Sequence, residues 1–508
     1  MHGFMFTLVT LTSITSCMGS RVLFLAPIAL KSHTQFFTGI AKGLVDAGHE
    51  VTLVIPMSRG VPGVREVVVN VTDLGSQILD PFKNGRFATH RIIDLWAPLC
   101  LEAMEQKEIQ DLRKEKFDIV ILSNSHNDCL LAYIHEMKVP YIWAIVTGFT
   151  VTMQSELAGS PYFPSFSPNL LSGGVADPKG LPFYHRFVGV LTDLYSLNIF
   201  HNGVKKVDRE CRAAGLCPAD MPPLMELRYN ASLVIINSIR NNEPVATPYT
   251  PAVIHAGGAH LRPAQPLPVD LEKWVEDSGE HGFILFSMGT VVKPSEMPEH
   301  ALRPILNVLG SLKQRVLWKW DQDNMDNLPS NIRLTKWLPQ QDILGHKKLR
   351  FFITHGGIAS TQEAAYHGCP VISIPVFFDQ FMNVNQVQNQ GWGRTIYWDN
   401  FTEESLREAI EDILSSNRMR NIARQRSAVM RDQQRSPQEN VNFWVEYVLR
   451  HNGAEHLRSP LLKMPWYRLF NIDVWLCLIV AVVLLMTILV YVTYRILKAI
   501  WRLITRHW

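Results

Sequence analysis

The sequence predicts an α/β protein made of two parallel-sheet halves and closed by one membrane-spanning helix. Three observations carry this prediction. Apolar runs suited to buried strands alternate with amphipathic helical stretches along most of the chain. In each half, strands run straight into turns of small or polar residues: Lys31-Ser32-His33 in the first, Ser287-Met288-Gly289-Thr290 and Thr354-His355-Gly356-Gly357 in the second. Near the end, residues 474–494 form 21 positions without a charge, bounded by Asp473 and Arg495. At about 1.5 Å rise per residue this is enough to cross a ~30 Å hydrocarbon core.

A chain of 508 residues is too long for one core, so two domains with accessory segments are expected. The net charge of +3 is close to balance. Lys and Arg are spread without an aromatic-interleaved basic tract, which argues against a nucleic-acid partner. Residues 1–19, with an apolar stretch at 4–14, read as a secretory signal. The tail, residues 495–508, carries Arg495, Lys498, Arg502 and Arg506 and no acid. That places the tail in the cytosol and nearly all of the rest in the lumen.

Asn70, Asn230 and Asn400 each open an Asn-x-Ser/Thr glycosylation triplet and fit the lumenal side. Of seven cysteines, Cys17 goes with the signal and Cys477 lies in the span. Cys100, Cys129, Cys211, Cys217 and Cys369 remain, odd in number and irregular in spacing, which predicts neither a disulfide framework nor a metal set. Cys211 and Cys217 are either a pair or two free thiols.

In chain order, residues 20–245 form the first half. Residues 22–27 read as a strand, 35–47 as a helix closed by Gly48, and 51–56 as the next strand, which starts a parallel sheet. Strands follow at 65–70 and 117–123. His33 stands just beyond the carboxyl end of the first strand, where its ordinary pKa of about 6.5 suits a general base. Asp128 follows the strand at 117–123 and either assists His33 or caps a helix. The stretch 141–200 is rich in aromatics and prolines, among them Trp143, Phe149, Tyr162, Phe163, Phe166, Phe183, Tyr184 and Phe187. These could wall an acceptor pocket, meet a membrane surface or form core. A strand at 233–237 ends this half, and the proline-rich residues 246–270 read as a linker.

The second half, residues 271–436, holds strands at 283–286, 315–320, 332–336, 351–353, 371–376 and 393–398. The turn Thr354-His355-Gly356-Gly357 leads into a helix at 360–367. Free N–H groups and the positive end of the helix dipole make such an opening a phosphate site, and Ser360 and Thr361 add donors. The turn contains no lysine, so it is not a Walker-type loop. Ser287, Gly289 and Thr290 should face the same anion from the opposite wall. Trp337 offers a flat face to a base, Gln340 an amide to its edge, and Asp379 and Gln380 polar groups to a polyol. Asp321-Gln322-Asp323 lies in a polar loop and reads as solvated, so no metal is expected. Residues 437–472 form an amphipathic helix and a membrane-proximal segment.

From Trp337 through Thr354-His355-Gly356-Gly357 and Glu363 to Asp379-Gln380, the chain resembles the donor-binding signature of the UDP-glycosyltransferases. Residues 31–54 resemble the start of the animal, membrane-bound members, which are similar to UDP-glucuronosyltransferases. The resemblance implies a GT-B arrangement of two Rossmann-like domains in the endoplasmic reticulum membrane, using a UDP-sugar as co-substrate and no cofactor. It also implies inverting transfer to a small lipophilic acceptor with His33 as base. By the same resemblance Trp337 and Gln340 hold uracil, Glu363 the ribose, Ser287, Thr354 and His355 the phosphates, and Asp379 and Gln380 the sugar.

Three departures matter. Ala359 stands where members often have Asn, and Leu122-Ser123-Asn124 offers no acid where they carry the carboxylate that supports the histidine. Neutral Asn237 stands in place of the arginine that faces a glucuronate carboxylate. The expected donor is therefore UDP-glucose, since a buried carboxylate without its cation is costly. The alternative is a membrane-anchored UDP-binding regulator or carrier that has lost turnover. Lipid or protein acceptors, and homo- or hetero-oligomers, stay open.

Overall fold

The computed structural model describes residues 19–72, 89–148, 152–167, 176–290 and 292–505. Nearly all of the expected signal, Phe149 and Arg506 lie outside them. The chain forms two units, Met1–Arg458 and Ser459–Trp508.

The first unit contains two sheets in which every pairing is parallel. Strands β1 (Arg21–Leu25), β2 (Glu50–Ile55), β3 (Arg65–Val68), β4 (Ile119–Ser123), β5 (Tyr141–Ile145), β6 (Leu233–Ile236) and β7 (Val253–His255) form a seven-stranded sheet in the order β3-β2-β1-β4-β5-β6-β7. Strands β8 (Phe283–Ser287), β9 (Arg315–Lys319), β10 (Ile332–Thr335), β11 (Leu349–Thr354), β12 (Val371–Ser373) and β13 (Gly393–Thr395) form a six-stranded sheet in the order β10-β9-β8-β11-β12-β13. Continuous apolar runs such as Val22-Leu23-Phe24-Leu25 are buried on both faces, as parallel sheets require. This is the GT-B architecture of two Rossmann-like halves.

Each sheet reverses its direction of growth once, between β1 and β4 in the first and between β8 and β11 in the second. Ligand crevices of open α/β sheets lie at the carboxyl ends of such strands. In the first sheet that point carries His33, at the start of helix α1 (His33–Asp46), and the loop beginning at Asn124. In the second, Ser287 and Thr354 are register partners, so the two expected phosphate turns emerge side by side.

Two strands escaped the sequence reading. β5 lies in the aromatic stretch, where Trp143 is fully buried and its Nε1 donates to Arg228 O at 3.0 Å. β7 occupies the middle of the stretch read as linker and forms the edge of the first sheet. Helix α2 (Phe183–Ala213) follows β5 and leaves Phe183, Tyr184 and Phe187 exposed, so core and surface share the aromatics of this region.

Helix α3 (Pro437–Arg450) follows the second half in sequence but packs on the first. Ser436 and Glu439 form a reciprocal capping box with Pro437 in the first turn. Its apolar stripe, Val441, Val445 and Val448, enters the same core as Phe36, Phe37 and Ile40 of α1. Two disulfides stitch the first half, Cys100–Cys129 with Cα atoms 5.9 Å apart and Cys211–Cys217 at 5.3 Å. The expectation of no disulfide framework is thereby corrected: sequence spacing does not report which thiols the fold brings together. Cys369 is buried and free.

The second unit is dominated by helix α4 (Ile472–Ile504), 33 residues long and apolar enough to cross a membrane. Its helical backbone runs on through most of the basic tail, ten residues past the expected end of the span at Tyr494.

Candidate active site

One cavity of about 220 Å³ gathers His33 from the first half with Gly289, Thr290, Trp337, Gln340, His355, Gly357, Ser360, Asp379 and Gln380 from the second. The fold thus brings the expected base, phosphate turns and sugar groups into one cleft between the two sheets.

His33 begins α1 directly beyond β1. Burial, and then the nearby His126, lower its pKa to about 4, and its Nδ1 is buried without a hydrogen-bond partner. The imidazole is therefore neutral near pH 7, with a lone pair free to take a proton, and is a weaker base than the ordinary value of about 6.5 would make it. Asn127 locks the two loops of this switch point together: its Oδ1 accepts from Ile28 N at 3.2 Å and its Nδ2 donates to Ser125 O at 2.8 Å.

Asp128, for which assisting His33 and capping a helix were the two expectations, is paired with Arg228 instead. Its carboxylate lies 3.1 Å from Arg228 Nη1, both side chains being almost fully buried, and it does not line the cavity. Burial pushes this carboxyl up against the pull of Arg228. The ionisable group that acts on His33, by opposing a second positive charge beside it, is His126, in the left-handed region at φ 62° and edge-on to Trp96 at 5.2 Å. Sequence reasoning missed it, because it sought an acid there.

The expected phosphate turns are built by packing as much as by composition. Gly289 and Gly356 have φ of 78° and 79°. A Cβ on Gly289 would lie 2.5 Å from the His355 ring, and one on Gly356 would lie 2.2 Å from Val384 Cγ1. Only glycine fits both the backbone and the space. Ser287 and Thr354 are buried beneath the turns, where Ser287 Oγ accepts from Gly289 N and Thr354 Oγ1 from Gly356 N, each at 3.3 Å. They brace the backbone that faces the cavity and do not line it themselves.

The expected nucleoside end has an exposed and a buried part. Trp337 is 71% exposed, an open platform at the cavity rim. Gln340 Nε2 donates to Glu363 Oε2 at 2.5 Å and to Ser360 Oγ at 3.1 Å. Glu363 lies behind this amide, and burial raises its pKa to about 7.

At the expected sugar end, Asp379 stands at the N-cap position of the helix Gln380–Asn389 without a side-chain capping bond, and its carboxylate accepts from Asn383 Nδ2 at 2.8 Å. The same amide donates to Gly356 O at 3.0 Å, which couples Asp379 to the glycine turn. Burial raises the Asp379 pKa to about 6. Gln380 Oε1 accepts from Val376 N and Phe377 N at 2.8 and 3.1 Å. Asn237 also lines the cavity; its Nδ2 donates to Val146 O at 3.0 Å, which leaves Oδ1 buried and unpartnered.

The cavity holds two cations that the sequence reading did not single out, Arg59 and Lys319. They follow β2 and end β9, so the carboxyl-end rule that found His33 also points to them. Asp321 and Asp323 lie apart from this set, capping Ser295 N at 2.9 Å and pairing with Lys336 at 2.8 Å respectively. Among the described residues, one group could approach a cation, Glu272, Glu276 and His346, and Lys348 already lies 2.6 Å from Glu276. Asn70, Asn230 and Asn400 are exposed.

The family model of UDP-glucoronosyl and UDP-glucosyl transferases matches residues 65–506. The chain is 30% identical to mouse 2-hydroxyacylsphingosine 1-beta-galactosyltransferase over 506 residues, covering 95% of this chain and 90% of that protein. It is 30% identical to the UDP-glycosyltransferase UGT5 of Dactylopius coccus, covering 96% and 94%, and 30% identical to rat UDP-glucuronosyltransferase 2B15, covering 91% and 92%. A solved UDP-glucosyltransferase from Polygonum tinctorium shares the fold, with a TM-score of 0.58 at 17% identity over 86% of this chain and 100% of that one. With the switch-point cleft and its signature residues on one surface, the chain belongs to the UDP-glucuronosyl and UDP-glucosyl transferase family and is a GT-B glycosyltransferase that draws its sugar from a UDP-sugar.

Proposed function

We propose that this protein transfers a hexose, glucose, from UDP to a hydroxyl of a small lipophilic acceptor with inversion at the anomeric carbon. The observation that carries the proposal is the shared cavity, in which a neutral His33 with an unpartnered Nδ1 faces the same space as the glycine turns and Asp379. His33 takes the acceptor proton as the oxygen attacks, the bond to the diphosphate breaks, and UDP leaves toward the helix that follows Gly357. Trp337 and Gln340 hold the uracil, and Asp379 and Gln380 the sugar hydroxyls.

The relatives carry galactosyl-, glucosyl- and glucuronosyltransferase names, so the donor is argued from the cavity. Asn237 Oδ1 is a buried acceptor with nothing to accept. A sugar hydroxyl satisfies it, whereas a uronate carboxylate would meet it as one acceptor against another. Two disulfides and three exposed glycosylation acceptors support an oxidising, lumenal setting for the first unit, with the C-terminal tail in the cytosol. Residence in the endoplasmic reticulum is part of the same proposal.

The test is UDP release from membranes containing the chain, given UDP-glucose or UDP-glucuronate and a panel of phenols, beside His33→Ala. Acceptor-dependent release with UDP-glucose that falls by at least ~100-fold in the variant is expected. Release with UDP-glucuronate alone would reverse the donor assignment. No turnover in a preparation that still binds UDP would favour a non-catalytic UDP-binding protein, whose base lacks a carboxylate partner.

A further inference from the structure

The turn that receives the phosphates has no lysine, yet the cleft is not short of positive charge. Lys319 projects from the end of β9, its Nζ donating to Gly289 O at 3.0 Å. Arg59 reaches the same cavity from the first half. Its Nε donates to Thr34 Oγ1 at 2.7 Å and its Nη2 to Lys31 O, which pins the guanidinium beside the first turn of α1, where His33 sits.

The loop that carries Arg59 is itself built. Glu66, beyond the loop on β3, accepts from the backbone amides of Arg59, Gly60 and Val61 at 2.9, 3.0 and 2.9 Å and from Ser58 Oγ at 2.5 Å. Those bonds engage both oxygens of the carboxylate with the loop. Among the described residues neither Arg59 nor Lys319 has a salt bridge; Lys319 feels the charge of Arg59 and, with opposite sign, that of Glu363 behind the cavity wall, and Arg59 feels Glu66. Among the described residues Asp379 is the one carboxylate in the cavity wall, while Lys31, Arg59 and Lys319 line it. Two cations on one cavity wall, neither held in a salt bridge, suit an anion in that cavity.

We propose that Arg59 and Lys319 clamp the donor diphosphate from opposite halves, Arg59 being the cation by which the acceptor-side domain grips the leaving group. This rests on the UDP-sugar reading given above. The clamp supplies what the lysine-free turn lacks. Because Arg59 shares an anchor with the helix bearing His33, it also ties diphosphate binding to the position of the base. A guanidinium suits the task, since its planar fork can keep two bonds to protein oxygens while presenting a further N–H to phosphate.

The experiment measures binding of UDP and of uridine, which lacks the diphosphate, to the full chain in detergent, for the wild type, Arg59→Ala and Arg59→Lys. Expected is a loss of UDP affinity of about tenfold or more in Arg59→Ala, uridine affinity held within about twofold, and a smaller loss in Arg59→Lys. The unchanged uridine affinity is also the control for folding. UDP affinity unaffected by Arg59→Ala, or UDP and uridine weakened together, overturns the proposal. So does a variant with normal UDP affinity and a raised KM only for carboxylate-bearing acceptors, which would assign Arg59 to the acceptor. A wild-type chain that binds no UDP would overturn the UDP-sugar reading and the clamp together, whereas UDP binding indifferent to Arg59 overturns the clamp alone.

Discussion

Asp128 and Arg228 illustrate how one neighbour decides what a charged residue does. Each side chain is at most 4% exposed, and their charged atoms are 3.1 Å apart. A buried ion pair contributes little net stability, but removing one partner strands the other charge and costs about 3–5 kcal/mol. Asp128→Asn should therefore lower the melting temperature markedly, and a second change, Arg228→Met, should recover part of the loss. Thermal denaturation of the purified variants checks this. A catalytic Asp128 would show the reverse pattern, with kcat reduced at unchanged stability. The loop sequence Ser125-His126-Asn127-Asp128 presents four polar side chains in succession. Which of them faces His33, which ties the loops and which meets Arg228 depends on backbone turns, including the positive φ at His126, that no residue pattern specifies.

At the scale of elements, strands followed by glycine turns were legible because a long buried run and a left-handed turn each demand particular residues. The turn at Gly356 is the sharpest case. Gly356→Ala would need an alanine at φ 79° with its Cβ 2.2 Å from Val384, which should cost about 1–3 kcal/mol and displace the amides that face the phosphates. We expect a lower melting temperature together with weakened UDP binding in calorimetry. Normal UDP affinity in this variant would show that the turn does not hold the diphosphate. β7 went unseen because three residues after prolines carry almost no periodicity, and its place is fixed by pairing with β6. β5 was obscured by the aromatic composition around it, although its own five residues are all buried.

Across the whole molecule, several imidazoles are kept neutral. Burial lowers the pKa of His33, His126, His260, His355 and His367 from 6.5 to about 4. Between about pH 6.5 and 4 the unfolded chain binds protons at these sites and the native chain does not, so each contributes stability that is lost as pH falls through that window. Glu363 and Asp379 act oppositely, since their raised values of about 7 and 6 let the native state hold protons that the unfolded state has released. Near pH 5.5 the histidines outnumber the acids. Stability should fall on acidification from pH 6.5 toward 4.5 by roughly 1.4 kcal/mol per pH unit for each net proton. Melting curves of the detergent-purified chain across that range test this, and a melting temperature that rises on acidification would contradict it.

The sequence by itself determined the two parallel-sheet halves, the spanning helix and most of the cleft, because strand periodicity, glycine turns and an uncharged 21-residue run are local properties written in consecutive residues. The signature from Trp337 to Gln380 belongs to the same class, since its groups follow one another along a few elements. Tertiary structure decided what depends on residues far apart in the chain. It returned α3 to the first core, paired Cys100 with Cys129, and gave Asp128 to Arg228, one hundred positions along the chain. It also set Arg59 and Lys319 on the same cavity from different sheets. Electrostatic partnership acts through space over a few ångströms, so the charge that governs each of these groups is set by packing and not by sequence distance.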